Sequence, residues 1–543
     1  MIRLASHPTC CLALFASLTA GSLQAQGLPP VPVPAGNPIT ADKANLGKVL
    51  FWEEQLSATK NVACATCHLP EAGGGDPRTM DAHHPGPDGT FGTNDDLRGS
   101  PGVINSNADG TYNRAEPFPL VAQVTGRKAP SVINAAYNPL QFWDGRATGT
   151  FRDPVSGQVV LGNRGSLESQ AAEPPLSAVE MAHQGEDWVS LAAEITTAVP
   201  LALASDLPPA LEAWIDQRDY PALFAEAFGD PAVTPARIAM AIATYQRTLI
   251  SDQAPIDLGA LTQQQQRGRQ IFNGPARCDR CHGGPLQTDQ SFQNIGVRPR
   301  NEDLGRGGIT GNPRDNGAFK VPSLRNVSLR APFFHNGSQD TLDGVIDFYA
   351  RGGDFRQGQS PRIQPFQLQP QDRAALIAFV RDGLTDPRVA QGLPPFDHPT
   401  LFSLSSAVPS SYGNGSAGLG GQVARLVADE PPLLGNATFT MAVADARAGA
   451  PAFLLADVAP NPSGTGLLGV PLWLAATPSL ALLPLGLLNG TGIGGHESVV
   501  LDLPTTPTLA GATVYWQALV LDAAAAGGLA STAGVATTLM AAR

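Results

Sequence analysis

Apolar positions recur at helical spacing in several stretches of the chain and at strand spacing in one. Leu46, Val49 and Leu50 share a face of a helix that Thr40 can cap and that runs to about Trp52. From about residue 187 to 250 the pattern is helical again. It is clearest after Thr234-Pro235, a capping residue followed by Pro at the first helical position, where Ile238, Ile242, Tyr245 and Leu249 fall on one side. Thr262 opens a helix that runs towards Cys278. Thr341 caps another, containing Leu342, Val345, Ile346 and Tyr349, and a last one lies near Asp372–Leu384. After about Pro399 the character changes. Short apolar runs such as Ala437–Val443, Ala452–Leu455, Val499–Leu503 and Ala512–Leu521 alternate with Gly, Pro, Asn and Ser turns, the signature of an all-β sandwich or barrel. The uncharged stretch Leu468–Leu488 is long enough to span a membrane. Pro471, Pro478 and Pro484 break it as a helix, so it reads as short strands with turns.

Between these stretches lie a Pro-rich lead-in at 26–40 and a Gly/Asp/Asn-rich insert near 76–128, both loop by composition. With 58 Gly and 49 Pro in 543 residues the chain is loop-rich, yet 43% hydrophobic residues supply several cores. The net charge is −12, and lysine occurs only at Lys43, Lys48, Lys60, Lys128 and Lys320. Nucleic acid and anionic membrane surfaces are therefore excluded as partners. Arg3, the apolar stretch Cys11–Leu18 and the small-residue run ending Leu23-Gln24-Ala25 read as a secretory signal cleaved after Ala25. The product is periplasmic or secreted and keeps four cysteines, Cys64, Cys67, Cys278 and Cys281, too few for a disulfide scaffold.

Those four cysteines fall in two Cys-x-x-Cys-His motifs, Cys64–His68 and Cys278–His282. Two thiols three positions apart on a turn reach the two vinyl groups at one edge of a porphyrin, and the adjacent His reaches the iron; this is the c-type haem signature. A zinc ribbon needs its Cys pairs close together in sequence, and a thioredoxin-type pair needs no His and a βαβ context. Two covalently bound haems c are expected. The ligand in the sixth position of each iron then sets function. A weak internal repeat supports two related modules: Leu46-Gly47-Lys48-Val49-Leu50-Phe51 precedes the first motif and Arg267-Gly268-Arg269-Gln270-Ile271-Phe272 the second.

Further stretches carry a resemblance. LGKVLFWEEQLS, CATCH, APSVINAAYNPLQFWDGRA, LESQA with EMA, CDRCH, GAFKVPSLRNVSLRAPFFHNGS and TLDGVIDFY resemble, in order, the bacterial di-haem cytochrome c peroxidase family, which includes the MauG-type enzymes. The resemblance covers about residues 40–385 and leaves out the insert and the tail. It implies two mainly α-helical cytochrome c-like haem domains, a peroxidatic one at 26–250 and an electron-transfer one at 251–398, followed by the all-β sandwich-like domain at 399–543 as an accessory module. It implies that His68 is the proximal ligand of the peroxide-reacting haem and His282 that of the second haem. Trp143 would relay electrons between them. Glu180 would move protons during O–O cleavage, with Gln170 beside it, and Asn134 would lie near a calcium ion (Ca2+) between the modules. Peroxidase members of the family carry Met as the sixth ligand of the second haem. Here the aligned position is Tyr349, as in MauG-type enzymes, and no Met occurs between Met240 and Met441. A hard, anionic phenolate lowers the potential of an iron it binds.

The expected function is an exported di-haem peroxidase that reduces hydrogen peroxide at the His68 haem with electrons from the second, Tyr349-ligated haem. The donor would be a small redox protein. A MauG-type enzyme that draws electrons from Trp or Tyr side chains of a protein substrate is the alternative, and a plain electron-transfer cytochrome a third. His84 or His83, on the loop after His68, is a rival ligand that would gate the first haem. Asn105, Asn107, Asp109, Thr111, Asn113 and Glu116 follow EF-hand spacing around Gly110, although Asn-Asp-Gly is also common turn chemistry.

Overall fold

The computed structural model describes residues 27–464, 466–467 and 469–542; the expected export signal at 1–25 lies outside them. Thr40 and Thr234 cap helices at Ala41–Phe51 and Pro235–Gln246, each hydroxyl accepting the backbone N–H three residues on. Leu46, Val49, Leu50, Ile238 and Ile242 are fully buried in one cluster with Tyr245. The two helices touch at Gly47, where a Cβ would lie 2.0 Å from Ala241 O.

The second half repeats this arrangement. Thr262 caps Gln263–Asn273 in a capping box with Gln265. That helix packs on Pro370–Ala378, which continues as a π turn over Phe379–Gly383. Their contact is at Gly268, whose Cβ would lie 2.0 Å from Ala375 O. Gly47 and Gly268 hold the same place in the sequence repeat. Each lets two backbones approach more closely than any side chain permits.

The halves meet along a reciprocal pairing. Lys128 N donates to His335 O at 2.9 Å, and Lys320 N donates to Trp143 O at 2.8 Å. Asn134 and Asn326, six residues after each lysine, both take left-handed φ, 60° and 57°. Their N–H groups donate to Leu249 O and Leu384 O, just past the last helix of each half. The chain then returns to the first half, where Val389, Phe396 and Leu401 join its core.

The tail is a two-sheet antiparallel sandwich. One sheet runs Ser410–Tyr412, Gly534–Thr538, Thr513–Leu521, Pro451–Asp457, Ala481–Leu487, with Leu529–Ser531 added to Thr513–Leu521. The other runs Arg425–Val427, Phe439–Ala446, Gly495–Leu501. Phe439 and Met441 face Leu454, Trp516 and Val535 across the core. The Leu468–Leu488 stretch contains strands and turns, and no helix among the described residues is long and apolar enough to cross a membrane.

The insert is built of small ribbons, including Pro101–Ile104 paired with Ala122–Val124. It covers the outer face of the three-stranded sheet: Ile104, Tyr112 and Leu120 share a core with Val427, Ala442 and Ala444. The strand Phe439–Ala446 is therefore buried on both faces, which explains its unbroken apolar run.

Candidate active site

Two cavities flank the interface between the halves. The first, about 380 Å³, is lined by Cys64, Cys67, His68, Trp143, Gln170 and Glu180 among others. The second, about 180 Å³, is lined by Cys278, Cys281, His282, Tyr349, His335 and again Trp143. Of the residues given roles by the resemblance, all but Asn134 line one cavity or the other. Phe51 and Phe272, which end the repeated segments, line the first and second cavity respectively.

The residues of each cavity fit a covalently attached haem. His68 Nδ1 lies 3.1 Å from Gly74 O, and His282 Nδ1 lies 3.1 Å from Pro322 O. A proton on Nδ1 donates to that carbonyl and leaves Nε2 with a free lone pair, the arrangement a ligating imidazole needs. Burial holds both rings below their usual pKa, His282 down to about 4, so both are neutral. The four cysteines are unpaired with one another. Burial pushes the Cys64 and Cys278 thiols up to about 12 and raises the other two, which argues against a thiolate redox pair. No group of three or more His, Cys, Asp or Glu that could hold a metal ion occurs among the described residues. The second cysteine of each motif accepts from an arginine: Cys67 from Arg78 at 3.4 Å and Cys281 from Arg362 at 3.8 Å.

Trp143 lies between the cavities. Its Nε1 donates to Lys128 O at 2.8 Å, and its ring meets that of His335 edge-on at 6.3 Å. Glu180 follows a turn closed by Ser177, whose carbonyl accepts Glu180 N at 3.0 Å. Burial raises its pKa, with Arg146 pulling the other way. Tyr349 projects from the helix Leu342–Arg351, packed against Phe334 and Phe348, and its hydroxyl has no hydrogen-bond partner among the described residues. Burial, then Cys278 and Cys281, keep its phenol protonated well above the usual range, so a cation is needed to draw off the proton.

Asn134 lines a third cavity of about 100 Å³ between the halves. Its amide is engaged twice by the backbone of Ser251, donating at 3.1 Å and accepting at 3.0 Å. The lining carries no carboxylate and includes Lys128, Lys320 and Arg330. With no anionic oxygen, three cationic side chains and the Asn134 oxygen already bonded to Ser251 N, these residues do not fit a calcium ion. The EF-hand-like stretch satisfies its own polar groups: Asp109 accepts from the N–H and hydroxyl of Thr111, and Asn107 and Asn113 bond each other. His83 and His84 line neither haem cavity. They pair with Leu97–Arg98 in a ribbon, and His84 packs on Phe118.

Reading the sequence for chemistry missed His335 as the counterpart of Trp143. The signal was there: Phe142-Trp143-Asp144-Gly145 and Phe334-His335-Asn336-Gly337 align, with φ of 63° at Phe142 and 67° at Phe334. Lys128-Ala129-Pro130-Ser131 and Lys320-Val321-Pro322-Ser323 mark the same repeat.

Comparison with known proteins agrees. The family model described as di-haem cytochrome c peroxidase matches residues 41–266. Cytochrome-c peroxidase IdrP1 of Denitromonas iodatirespirans is 31% identical over 402 residues, 67% of this chain and 87% of that protein. Methylamine utilization protein MauG of Methylorubrum extorquens is 32% identical over 369 residues, 66% of this chain and 82% of that protein. The crystal structure of a MauG-like protein associated with microbial copper homeostasis superposes with a TM-score of 0.50 at 26% identity, covering 71% of this chain and 98% of that one. With two Cys-x-x-Cys-His cavities joined by one tryptophan, the chain belongs to the di-haem cytochrome c peroxidase family, which includes the MauG proteins, and is an oxidoreductase that acts on peroxide.

Proposed function

We propose that this protein is exported to the periplasm or beyond the cell, carries two covalently attached haems c, and handles hydrogen peroxide in the first cavity while the second stores and relays electrons. The observation that carries this reading is Trp143, whose ring lines both cavities. When bound, the two irons supply the electron transfer that peroxide reduction requires. His68 and His282 would each hold an iron through Nε2. Hydrogen peroxide takes up two electrons, supplied through the second cavity, and two protons from solvent to give two waters; Glu180, buried without a full counter-charge, would move a proton from one peroxide oxygen to the other. Gln170 and Arg146 line the same space and orient the bound peroxide. Trp143, fixed by Lys128 O, conducts electrons between the cavities. A small redox protein replenishes them, or, in a MauG-type reaction, Trp or Tyr side chains of a protein substrate do.

Tyr349 favours the MauG-type behaviour of the second site, because an anionic phenolate stabilises the more oxidised iron.

Absorbance and electron paramagnetic resonance spectra of the oxidised, haem-loaded protein test this reading. Denatured protein retains two haems per chain on a stained gel and in a pyridine assay. Peroxide added to the fully oxidised protein gives a lasting absorbance change without prior reduction. Tyr349→Phe keeps both haems and loses that change. A requirement for half-reduction, or an unaltered spectrum in Tyr349→Phe, replaces this reading with that of a peroxidase lacking Tyr ligation.

A further inference from the structure

The sandwich lies outside the stretch that the family model matches, yet through the insert it is tied to the segment that carries Glu180. The insert strand Pro101–Ile104 runs against the backbone of that residue: a Cβ on Gly102 would lie 2.0 Å from Val179 O and 2.7 Å from Glu180 Cα. Beside it, Gln123 Nε2 donates to Ala178 O at 2.5 Å, and Gln184 N donates to Ser106 O at 2.8 Å. The segment 178–184 is thus held by the insert on both sides of the acid. Ser100 and Gly102 themselves line the first cavity.

The insert is held in turn by the sandwich. Besides the shared apolar core, Tyr112 Oη donates to Glu430 Oε1 at 2.9 Å, and Thr440 Oγ1 donates to Gly110 O at 2.9 Å. The sandwich also reaches the opposite wall of the cavity: Asn61, three residues before Cys64, donates to Asp429 Oδ2 at 2.6 Å.

We propose that Gly102 and Gln123 are positioning residues for Glu180, and that the sandwich, by clamping the insert, is a working part of the peroxide site. This rests on the reading of Glu180 as the proton-transfer group. Gly102 sets how closely the insert covers the acid, and Gln123 fixes the carbonyl two residues before it. The cover excludes water and keeps the carboxyl in the protonatable range. Arg146 and Glu173 act on Glu180, Arg127, Lys128 and Asp303 line the same cavity, and Arg78 donates to Pro101 O on the insert strand; Gln123→Leu and Tyr112→Phe remove none of these charges, so they change solvent access and not the number of charges at the site.

The test uses the full-length, haem-loaded protein and the variants Gln123→Leu, Tyr112→Phe and Gly102→Ala, with Glu180→Gln as reference. Gln123→Leu is expected to speed hydrogen exchange over 178–184 and to slow the reaction with peroxide about tenfold, since small misplacements of an acid–base group are costly. It also moves the acid limb of the pH profile to lower pH, because a wetter carboxyl ionises more easily. Tyr112→Phe, which touches only the junction with the sandwich, moves all three readouts in the same direction by less. The absorbance of the second haem stays unchanged and serves as the control for general destabilisation. If Glu180→Gln is impaired while Gln123→Leu and Tyr112→Phe leave rate and pH profile at wild-type values, the positioning role is overturned and the reading of Glu180 stands. If Glu180→Gln itself reacts at the wild-type rate, both fall. Should Gly102→Ala fail to fold, Gln123→Leu and Tyr112→Phe decide the question alone.

Discussion

At the scale of single residues, chemistry follows from what each group is denied. Glu180 is denied full solvation and stays protonated to higher pH than an exposed carboxyl. Its task begins with accepting a proton, so the reaction with peroxide is expected to rise with pH through its raised pKa and then level. Glu180→Gln removes that limb and lowers the rate by about 10²–10⁴-fold, the usual worth of a positioned acid–base group, while leaving haem content intact. Stopped-flow absorbance across the pH range measures both effects. The grouping of Cys64, Cys67 and His68, and of Cys278, Cys281 and His282, in one cavity each was legible in the sequence because it is fixed by neighbours along the chain. Trp143 and Glu180 needed the resemblance, since a single Trp or Glu carries no pattern of its own.

At the scale of elements, the helix pairs that carry the two cavities depend on closeness. Gly47 and Gly268 each bring a helix within contact of a partner backbone, at Ala241 O and Ala375 O. Gly47→Ala is expected to cost about 3 kcal/mol by overpacking and to impair haem loading of the first cavity, whereas Gly162→Ala, with nothing within 4 Å, stays within about 0.5 kcal/mol. Thermal unfolding and the pyridine assay read the two effects. Helix starts at Thr40, Thr234, Thr262 and Thr341 were legible because a capping hydroxyl acts over three residues. The ribbons of the insert were not legible, since two-residue strands leave no period to read.

At the scale of the whole molecule, buried carboxyls tie the sandwich to the rest. Glu54 accepts from Phe402 N at 2.7 Å and Ser403 N at 2.9 Å, and burial pushes its pKa up to about 7. Glu430, bonded to Tyr112 Oη and Thr440 N and with Lys60 and Asp429 nearby, is pushed by burial up to about 8. Both values lie above the 4.5 of an unfolded chain, so the folded state holds more protons between these limits. The stabilisation is complete below about pH 4.5 and is lost as pH rises through 7 to 8. His398, lowered by burial but raised overall by its bond to Glu71, adds in the same direction. Buried His68, His282 and His335 and buried Lys128 and Lys320, all held below their usual pKa, act in the opposite direction, so the variant and not the wild-type slope is the test. The melting temperature of Glu430→Gln relative to wild type is expected to rise between pH 5 and 8.5, and a difference that does not change with pH excludes the assignment.

The sequence by itself determined the local facts: two Cys-x-x-Cys-His motifs, capped helices before each, a β-rich tail, and Tyr349 on a helix capped by Thr341. Each of these is set by residues within a turn or a strand of one another. Only the tertiary structure decided which distant segments share a wall. It placed Trp143 against both cavities, paired Lys128 with His335 and Lys320 with Trp143 across the halves, and laid the insert between Glu180 and the sandwich. The reason is physical: burial between layers is non-directional and leaves no spacing in the chain, so Ile104, Tyr112 and Leu120 carry no mark of the strand they cover.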